Sequence, residues 1–320
     1  ARGEVGDARC HEEGSEREAT QASKCQEQTP NGSNQMNQLQ KNHNNLPVAV
    51  IVGATSKWQS DGRNTHLAHG SAIDDSDLPA PARWGIGGAI AQKFAAEGFF
   101  VVLTTRHPAN TEALSRQIEE HGGGCLTVAL DLSSQTSIAE AFQLIRAQAG
   151  NPDVLVYNAG YLEGRDLPPG QELLEYISVE MFDVTQHIAC RGPFLVAKEV
   201  LPFMRERGSG SLFFSNNAKS LRGRKRNTGE SLYYPRVMMR TLAQVLTEEY
   251  SEFGVHVANV IIDGTIDSPG TRALPKALKN PDLLMDPERI AEAFYYLHTQ
   301  HRSCWTHDLQ LTPFSTAPSF

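Results

Sequence analysis

Two glycine clusters are the residues of this chain best suited to bind a charged group. Gly53 follows an apolar run, Val48–Val52, that is typical of a buried parallel strand, and Gly85 and Gly87 open a helical pattern. Glycine permits a tight turn and a close backbone approach to a phosphate, and a helix N-terminus directs N–H groups at it. Strand, glycine turn and helix together predict a dinucleotide-binding βαβ unit.

The distance between the two clusters is unusual, because 31 residues (54–84) separate Gly53 from Gly85. Segment 58–83 is interpreted either as a retained intron or as a genuine inserted loop. We favour the loop, since deleting the segment leaves five residues (54–57 and 84) between the glycines and since 74–79 resembles a turn or helix-start cluster. A loop this long is expected to cover the cofactor or reach a partner. Its histidines and aspartates lack metal-site spacing, so no metal is predicted.

Composition narrows the function classes. The 320 residues carry a net charge of −8, which argues against nucleic acid as the main partner. No apolar run approaches the roughly 18–20 residues needed to span a bilayer. The odd, widely spaced cysteines predict reduced thiols and a cytoplasmic protein. Residues 1–46 are polar and predicted to be a disordered head, with Met36 as an alternative start, and 315–320 are predicted to be a tail.

The remaining region, 47–314, alternates strand and helix patterns. The predicted strands are 48–52, 99–105, 126–130, 154–157, 210–215, 255–262 and 308–311. The predicted helices are 86–97, 111–121, 135–149, 184–207, 236–252 and 287–299. In the fifth of these helices, Met238, Leu242, Val245 and Leu246 are expected to share one apolar face. The order predicts a single α/β domain, a doubly wound, Rossmann-like parallel sheet.

Five landmarks stand in a recognisable order along this region. They are Gly53 with Gly85–Gly87, Asp131-Leu132, Asn158–Gly160, Gly192–Phe194 and Asp263–Ile266. In this order, over 46–313, the chain resembles the short-chain dehydrogenase/reductase family. The resemblance implies an NAD(P)-binding domain and a hydride-transfer reaction on a small molecule.

The resemblance also implies which residues hold the cofactor. Diphosphate binding is carried over to Gly53, Ser56, Gly85, Ile86 and Gly87. The adenine amino group would meet Asp131, with Leu132 beside the ring. The adenosine ribose would be lined by Asn158, Ala159 and Gly160, and the nicotinamide carboxamide would be held by the Ile266 backbone. Two simpler alternatives remain, that Asp131 caps the next helix and that Asn158–Gly160 is only a turn.

The end of the second strand bears on cofactor choice. A carboxylate there would bind the ribose 2′-hydroxyl and favour NAD. This chain has Thr104-Thr105-Arg106-His107 instead, and Arg106 is placed to pair with a 2′-phosphate. The sequence therefore predicts NADP(H), with NAD as the alternative.

The catalytic positions of the family are altered. Its usual mechanism uses a Tyr as acid or base, a Lys one helical turn later, a Ser that orients the carbonyl and a relay Asn. Here the Lys position holds Arg236, and the Tyr position falls on Leu232, directly before Tyr233 and Tyr234. Asn217 stands near the Ser position, with Ser215 and Ser220 close by. Ala189 stands at the relay position.

Three interpretations follow from these changes. In the first, Tyr233 or Tyr234 is the acid and Arg236 or Arg240 replaces Lys; the Tyr233–Arg240 spacing also resembles that of enoyl-acyl-carrier reductases. In the second, the protein binds NADP(H) without turnover and serves as a regulatory or interaction module. A simpler alternative for the two tyrosines themselves is packing at a helix start beside Pro235. In the third, the substrate needs little acid catalysis.

The favoured prediction is an NADP(H)-dependent oxidoreductase acting on a carbonyl or alcohol, or on an activated alkene. Variable loops around 161–175 and 268–285 would form the substrate pocket. Because family members usually pair through their long helices, a homodimer or homotetramer is expected through 184–207 and 236–252.

Overall fold

The computed structural model describes residues 45–55, 80–160, 174–221, 235–272 and 275–319. The strands are β1 Val48–Val52, β2 Phe100–Thr105, β3 Gly124–Ala129, β4 Val154–Tyr157, β5 Gly210–Asn217, β6 Val255–Ile262, β7 Thr265–Ile266, β8 Leu284–Met285 and β9 Asp308–Leu311. The longer helices are α1 Ala80–Ala96, α2 Glu112–Glu120, α3 Gln135–Gln148, α4 Val179–Gln186, α5 Gly192–Arg207, α6 Pro235–Tyr250 and α7 Pro287–Thr299. The predicted polar head lies outside the described residues except for 45 and 46.

The main sheet has seven strands in the order β3-β2-β1-β4-β5-β6-β9, and every neighbouring pair is parallel. The strand order reverses between β1 and β4. In an open parallel sheet, the carboxyl ends of the strands on either side of such a reversal flank a crevice that binds ligands. The predicted doubly wound α/β fold is confirmed, and it points to the residues after Val52 and Tyr157.

Helices cover both faces of the sheet, which explains why its central strands are apolar throughout. In β1, Val48, Val50 and Val52 pack on the side of α3, α5 and α6. The alternating residues, Ala49 and Ile51, pack on the side of α1, α2 and α7. Burial on both faces makes a continuous apolar run the expected pattern for a parallel strand.

The first helix begins earlier than predicted. Helix α1 starts at Ala80, so the described end of the predicted inserted loop is helical, and its regular geometry breaks at Gly85, where φ is 66° and ψ is −171°. A new helical run therefore begins at Ile86, the predicted start. Gly98, with φ of 87°, follows the helix end as the αL residue of a glycine stop.

The long helix of the middle region also begins before its predicted start at 184. Ser178 accepts a hydrogen bond from the Met181 N–H group and caps α4 at Val179. A π-helical segment, His187–Arg191, joins α4 to α5. Such segments are rare and are often found at functional sites.

Two residues of the predicted apolar face of α6 lie outside the core. Met238 and Val245 are 50% and 43% exposed, whereas Met239, Ala243 and Leu246 are buried. The buried residues recur at the i, i+4, i+7 spacing of a single helix stripe. Met238 and Val245 lie beside that stripe, so α6 has apolar side chains outside the core of the chain.

None of the described helices combines the length and hydropathy needed to cross a bilayer. The three cysteines in the described ranges, Cys125, Cys190 and Cys304, are free thiols. Burial raises the pKa of the Cys125 and Cys190 thiols.

Candidate functional site

The two glycine clusters meet at the reversal of strand order, despite their separation in sequence. The N–H groups of Gly53 and Ala54 donate to the Thr104 carbonyl at 3.2 and 3.1 Å, which fixes the turn after β1. A Cβ on Gly87 would overlap the Gly53 carbonyl oxygen. The Asn158 side-chain amide donates to the same oxygen at 2.9 Å. β1, β4 and the start of the Ile86 helical run are thereby joined at one point.

This junction has the shape that a diphosphate requires. Gly53 has φ of 82°, and a Cβ there would lie 2.8 Å from the backbone N and Cα of Ala159. Gly85 also has positive φ and starts the helical run at Ile86. Backbone atoms therefore approach one another where side chains would interfere, and a helix N-terminus stands beside them. The residues present fit the diphosphate of a dinucleotide.

Arg106 and Asp131 lie at neighbouring strand ends, after β2 and β3. The Asp131 carboxylate accepts hydrogen bonds from the Ser133 hydroxyl at 2.7 Å and from its N–H group at 2.9 Å. These bonds hold the pKa of Asp131 below its ordinary value, and the positive charges of Arg106 and His187 act in the same direction. A carboxylate and a guanidinium therefore lie close together at these two strand ends.

Asp131 is not the cap of the following helix. Ser134 takes that position, and its hydroxyl accepts from the Ser137 N–H group at 3.2 Å. Leu132 is 8% exposed and packs into the core under α5, where a Cβ on Gly192 would approach it at 3.6 Å. Of the two simpler alternatives, the helix-cap role of Asp131 is thus wrong. The Asn158 bond to Gly53 also gives Asn158–Gly160 a role beyond a turn.

Ile266 lies in the short strand β7, directly after the end of β6. It pairs with Met285 of β8. The Thr271 hydroxyl donates to the Ile266 carbonyl at 2.5 Å. Strand pairing and this hydrogen bond fix the backbone of the residue that the resemblance assigns to the nicotinamide carboxamide.

Arg236 reaches across the carboxyl ends of β4 and β5. Its Nη1 donates to the Ser215 carbonyl at 3.1 Å. A Cβ on Gly160 would lie 2.6 Å from Arg236 Nη2, so the guanidinium lies directly beside Gly160. A permanent positive charge therefore stands beside the junction of Gly53 and Asn158.

A series of buried hydrogen bonds holds the start of α6, which contains Arg236. Asn216 is 2% exposed, and its amide donates to the Arg236 carbonyl at 3.1 Å and to Asn259 Oδ1 at 3.0 Å. The Asn259 amide donates to Asp308 Oδ1 at 2.7 Å. Sequence reasoning missed Asn216 and Asn259, although a polar residue inside a buried strand is a signal that a buried partner exists.

Arg240 is engaged one turn further along α6. Its guanidinium donates twice to Asp308 Oδ2, at 2.5 and 3.0 Å. This pairing ties Arg240 to β9, whereas Arg236 contacts the ends of β4 and β5. Of the two arginines considered as replacements for lysine, Arg236 is the better placed.

The candidate serine position is occupied by groups that already have partners. Asn217 Oδ1 accepts from the Lys219 N–H group at 3.1 Å. The Ser220 hydroxyl is buried and donates to the Asn217 carbonyl at 2.7 Å. Ser215 is buried and contributes its carbonyl to Arg236. Among these side chains, Asn217 is the one that is only half-buried and can face a substrate.

Tyr157 is a buried phenol that sequence reasoning passed over. Its hydroxyl donates to the Ile188 carbonyl at 2.5 Å, within the π-helical segment that also contains Ala189. Burial raises the pKa of Tyr157, and the positive charge of Arg236 opposes that shift. A tyrosine in a buried strand needs such a partner for its hydroxyl, which is the signal that could have found it.

Three predicted site residues, Ser56, Tyr233 and Tyr234, lie outside the described residues, as do Leu232 and most of the predicted substrate loop 161–175. In the ranges that the structure describes, no group of three or more His, Cys, Asp or Glu is placed to hold a metal ion.

Several curated proteins are similar to this chain in sequence. The uncharacterized oxidoreductase YxbG of Bacillus subtilis is 31% identical over 189 residues, which is 59% of this chain and 65% of the relative. YxjF of the same organism is 28% identical over 49% of this chain and 57% of its own length. The chain thus matches less than two thirds of either protein. The uncharacterized oxidoreductase SA2266 of Staphylococcus aureus is 25% identical over 72% of this chain and 93% of its own length.

Solved structures share the fold. A metagenomic short-chain oxidoreductase in complex with NADP superposes with a TM-score of 0.62 at 23% identity, covering 83% of this chain and 97% of the other. An alcohol dehydrogenase from Thermococcus sibiricus, complexed with 5-hydroxy-NADP, gives 0.64 at 22% identity over 86% and 99%.

A family model described as Enoyl-(Acyl carrier protein) reductase matches residues 80–306, which include every described helix and all strands of the main sheet except β1 and β9. The chain belongs to that family, within the short-chain dehydrogenases/reductases.

Proposed function

We propose that this protein is an NADP(H)-dependent oxidoreductase that transfers a hydride to or from a small carbonyl or alcohol substrate. The observation that carries the proposal is the assembly of the phosphate turn and Arg236 at one edge of the sheet, where Asn158 and Gly160 connect them. The relatives with similar sequences are named oxidoreductases. Two proteins of the same fold were solved with NADP or a hydroxylated NADP.

The cofactor would lie along the carboxyl edge of the sheet. Gly53, Gly85 and Gly87 would hold the diphosphate, with Ser56 and Ile86 beside it, and Asp131 would accept from the adenine. Arg106 would pair with the 2′-phosphate that distinguishes NADP from NAD, because guanidinium binds phosphate through a charge-assisted fork. When bound, NADP(H) supplies or accepts the hydride.

Arg236 would stabilise negative charge on the substrate oxygen. Reduction of a carbonyl places a hydride on carbon and leaves charge on oxygen until a proton arrives. A preorganised cation at that oxygen lowers the barrier, and removing one such donor typically costs about 10²- to 10³-fold in kcat. Arginine stays charged at every accessible pH. We assign the proton donor to Tyr233 or Tyr234, and the orienting amide to Asn217 rather than to the buried Ser220.

The test separates binding from chemistry. Calorimetry gives the affinity for NADPH, and loss of NADPH absorbance is followed with aldehydes, ketones, quinones and enoyl thioesters. Arg236→Met is compared with Arg289→Met, a matched change at an exposed side chain. We expect Arg236→Met to bind NADPH within a few-fold of the parent protein and to lose about 100-fold in turnover. Turnover equal to that of the control would remove Arg236 from the mechanism.

A second candidate is a protein that binds NADP(H) without turnover. The specific observation in its favour is that the Ser220 hydroxyl is buried against the Asn217 carbonyl and that Ala189 occupies the relay position. Binding of NADPH with no oxidation across the panel would select this candidate. Absence of NADPH and NADH binding would overturn both.

We also propose that the protein is a cytoplasmic homo-oligomer. Phe194 of α5 and Met238 and Val245 of α6 are 50%, 50% and 43% exposed. A second copy is the natural partner for them, because long helices are the surfaces through which this family is expected to pair. Free Cys125 and Cys190 thiols suit a reducing compartment.

A further inference from the structure

The carboxylate of Asp263 is buried at the carboxyl end of β6, next to the predicted nicotinamide turn. Asp263 is 7% exposed. One oxygen accepts from the Ser319 N–H group at 2.5 Å and from the Gln310 amide at 2.8 Å, and the other accepts from the Ser319 hydroxyl at 2.9 Å. We call these three residues the Asp263 clasp. A buried carboxylate is retained only where donors replace its water, so the clasp makes the position of Ser319 depend on Asp263.

The segment that leads to Ser319 crosses the turn after β6. A Cβ on Gly264 would lie 2.8 Å from Pro313 Cδ and 2.6 Å from Met285 Sδ, so Gly264 is enclosed between the two. The Ser315 hydroxyl donates to the Asp282 carbonyl at 2.8 Å. The segment therefore contacts the residues that lead into β7 and into β8.

The other contacts of the turn are with residues close to it in sequence. Ile266 is paired to Met285, and its carbonyl accepts from Thr271. Asp267 forms a two-bond ion pair with Arg272 at 2.5 and 2.6 Å. All of these partners belong to the same excursion of the chain, 264–285. Among the described contacts, those with Gln310 and Leu311 of β9 and those with Pro313, Ser315 and Ser319 after it connect this excursion and its entry residue to the end of the described chain.

We propose that Asp263 is a positioning residue, which through Ser319 holds the Gly264–Ile266 turn where it can receive the nicotinamide half of the cofactor. This inference rests on the proposed function for the identity of the ligand. Releasing the clasp should loosen the turn while leaving the phosphate turn at Gly53 and the Arg106 corner intact. The loss of binding affinity should therefore concern the nicotinamide half of the dinucleotide and not the adenosine half.

The experiment compares two ligands that share one half. NADPH contains both halves, and 2′,5′-ADP contains only the adenosine half with its 2′-phosphate. Their affinities are measured by calorimetry for the parent protein and for Asp263→Ala, Asp263→Asn and Asp282→Asn. The last is the matched control, because Asp282 is exposed and accepts from Ser315 through its backbone carbonyl. Hydrogen exchange of the Thr265 and Ile266 amides is measured in parallel without ligand.

For Asp263→Ala we expect NADPH affinity to fall about tenfold, with 2′,5′-ADP affinity within twofold of the parent and faster exchange at Thr265 and Ile266. Asp263→Asn should recover part of the NADPH affinity, because its amide oxygen can still accept from Ser319 and Gln310. Asp282→Asn should match the parent in all three measurements.

Three results would each contradict the proposal that Asp263 positions the Gly264–Ile266 turn. They are equal losses for both ligands in Asp263→Ala, an NADPH affinity equal to that of Asp282→Asn, and unchanged exchange at Thr265 and Ile266. If the parent protein binds neither ligand, the proposed function fails, and the exchange measurement still decides the clasp. If Asp263→Ala does not fold, Ser319→Ala takes its place, since it removes only the hydroxyl donor, and the same three results decide.

Discussion

Replacing Gly87 with alanine tests whether the junction of the two glycine clusters is the phosphate site. The added methyl group would overlap the Gly53 carbonyl oxygen and would lie 2.8 Å from Asn158 Nδ2 and 3.0 Å from Ala54 Cα. Favourable contacts between such atoms lie at about 3.5–4.0 Å, so Asn158 Nδ2 and Ala54 Cα must each move by at least about 0.5 Å and the Gly53 oxygen by more than about 1 Å. Two of the three neighbours are backbone atoms, which cannot rotate away.

The cost can be approximated from these contacts. Overpacking of a close-fitted site typically costs about 1–3 kcal/mol. The Asn158 hydrogen bond to Gly53 contributes about 1 kcal/mol and is lost if the turn moves. A turn displaced at a cost of about 2 kcal/mol in ligand binding loses about 30-fold in affinity. Calorimetry should therefore find NADPH affinity in Gly87→Ala reduced at least 30-fold.

Gly98→Ala is the matched control, because Gly98 follows the same helix. A Cβ there meets nothing within 4 Å, but φ of 87° places alanine in the left-handed region, at a cost of about 1 kcal/mol. Urea unfolding should show that Gly98→Ala is destabilised, and calorimetry should show that its NADPH affinity is unchanged. If Gly87→Ala binds NADPH as tightly as Gly98→Ala does, the diphosphate does not lie at this junction.

Three further predictions concern buried and exposed groups. Tyr157→Phe leaves the Ile188 carbonyl without its donor, and urea unfolding should show a loss of about 1–3 kcal/mol; no loss would contradict the role of this hydrogen bond. Burial lowers the pKa of His256 and His298 from 6.5, so the unfolded chain binds protons more readily, and the free energy of unfolding should fall as pH drops from about 7.5 to about 5.5; a flat profile would contradict this. Met238→Glu should lower the mass measured by light scattering to that of a monomer without loss of stability, whereas an unchanged mass would place the interface elsewhere.

The sheet could be predicted from the sequence because each of its central strands is recognisable as a short apolar run. β1, β4 and β6 are apolar runs with the predicted bounds, and burial on both faces is what makes such runs continuous. The sequence also placed Gly53 and Gly85 in one turn, because a strand and a helix of a βαβ unit must meet wherever the chain between them goes. Separation in sequence does not alter that requirement.

The parts that escaped prediction depend on neighbours rather than on local pattern. Met238 and Met239 are the same residue type at adjacent positions, and only the packing of α6 on the sheet decides that one is exposed and the other buried. The Asn216–Asn259 bond joins two strands 43 residues apart. The Ser319–Asp263 contact joins residues 56 positions apart. No helix or strand pattern in the sequence indicates that these two residues meet. Contacts of this kind follow from the fold and cannot be read from spacing.

Arg236 stands where the resemblance expects a lysine, and an arginine at such a position keeps a charge that a lysine can lose. A lysine can lose its proton, so its charge and its hydrogen bonds vary with its surroundings. A guanidinium keeps its charge, and here Nη1 of Arg236 donates to the Ser215 carbonyl while Nη2 lies beside Gly160. Asn216 fixes the backbone of the same residue. The positive charge at the carboxyl ends of β4 and β5 is therefore constant in strength and position. If Arg236 supplies the charge that stabilises the substrate oxygen, the pH dependence of turnover must come from the proton donor, and the Tyr233→Phe and Tyr234→Phe variants identify which phenol that is.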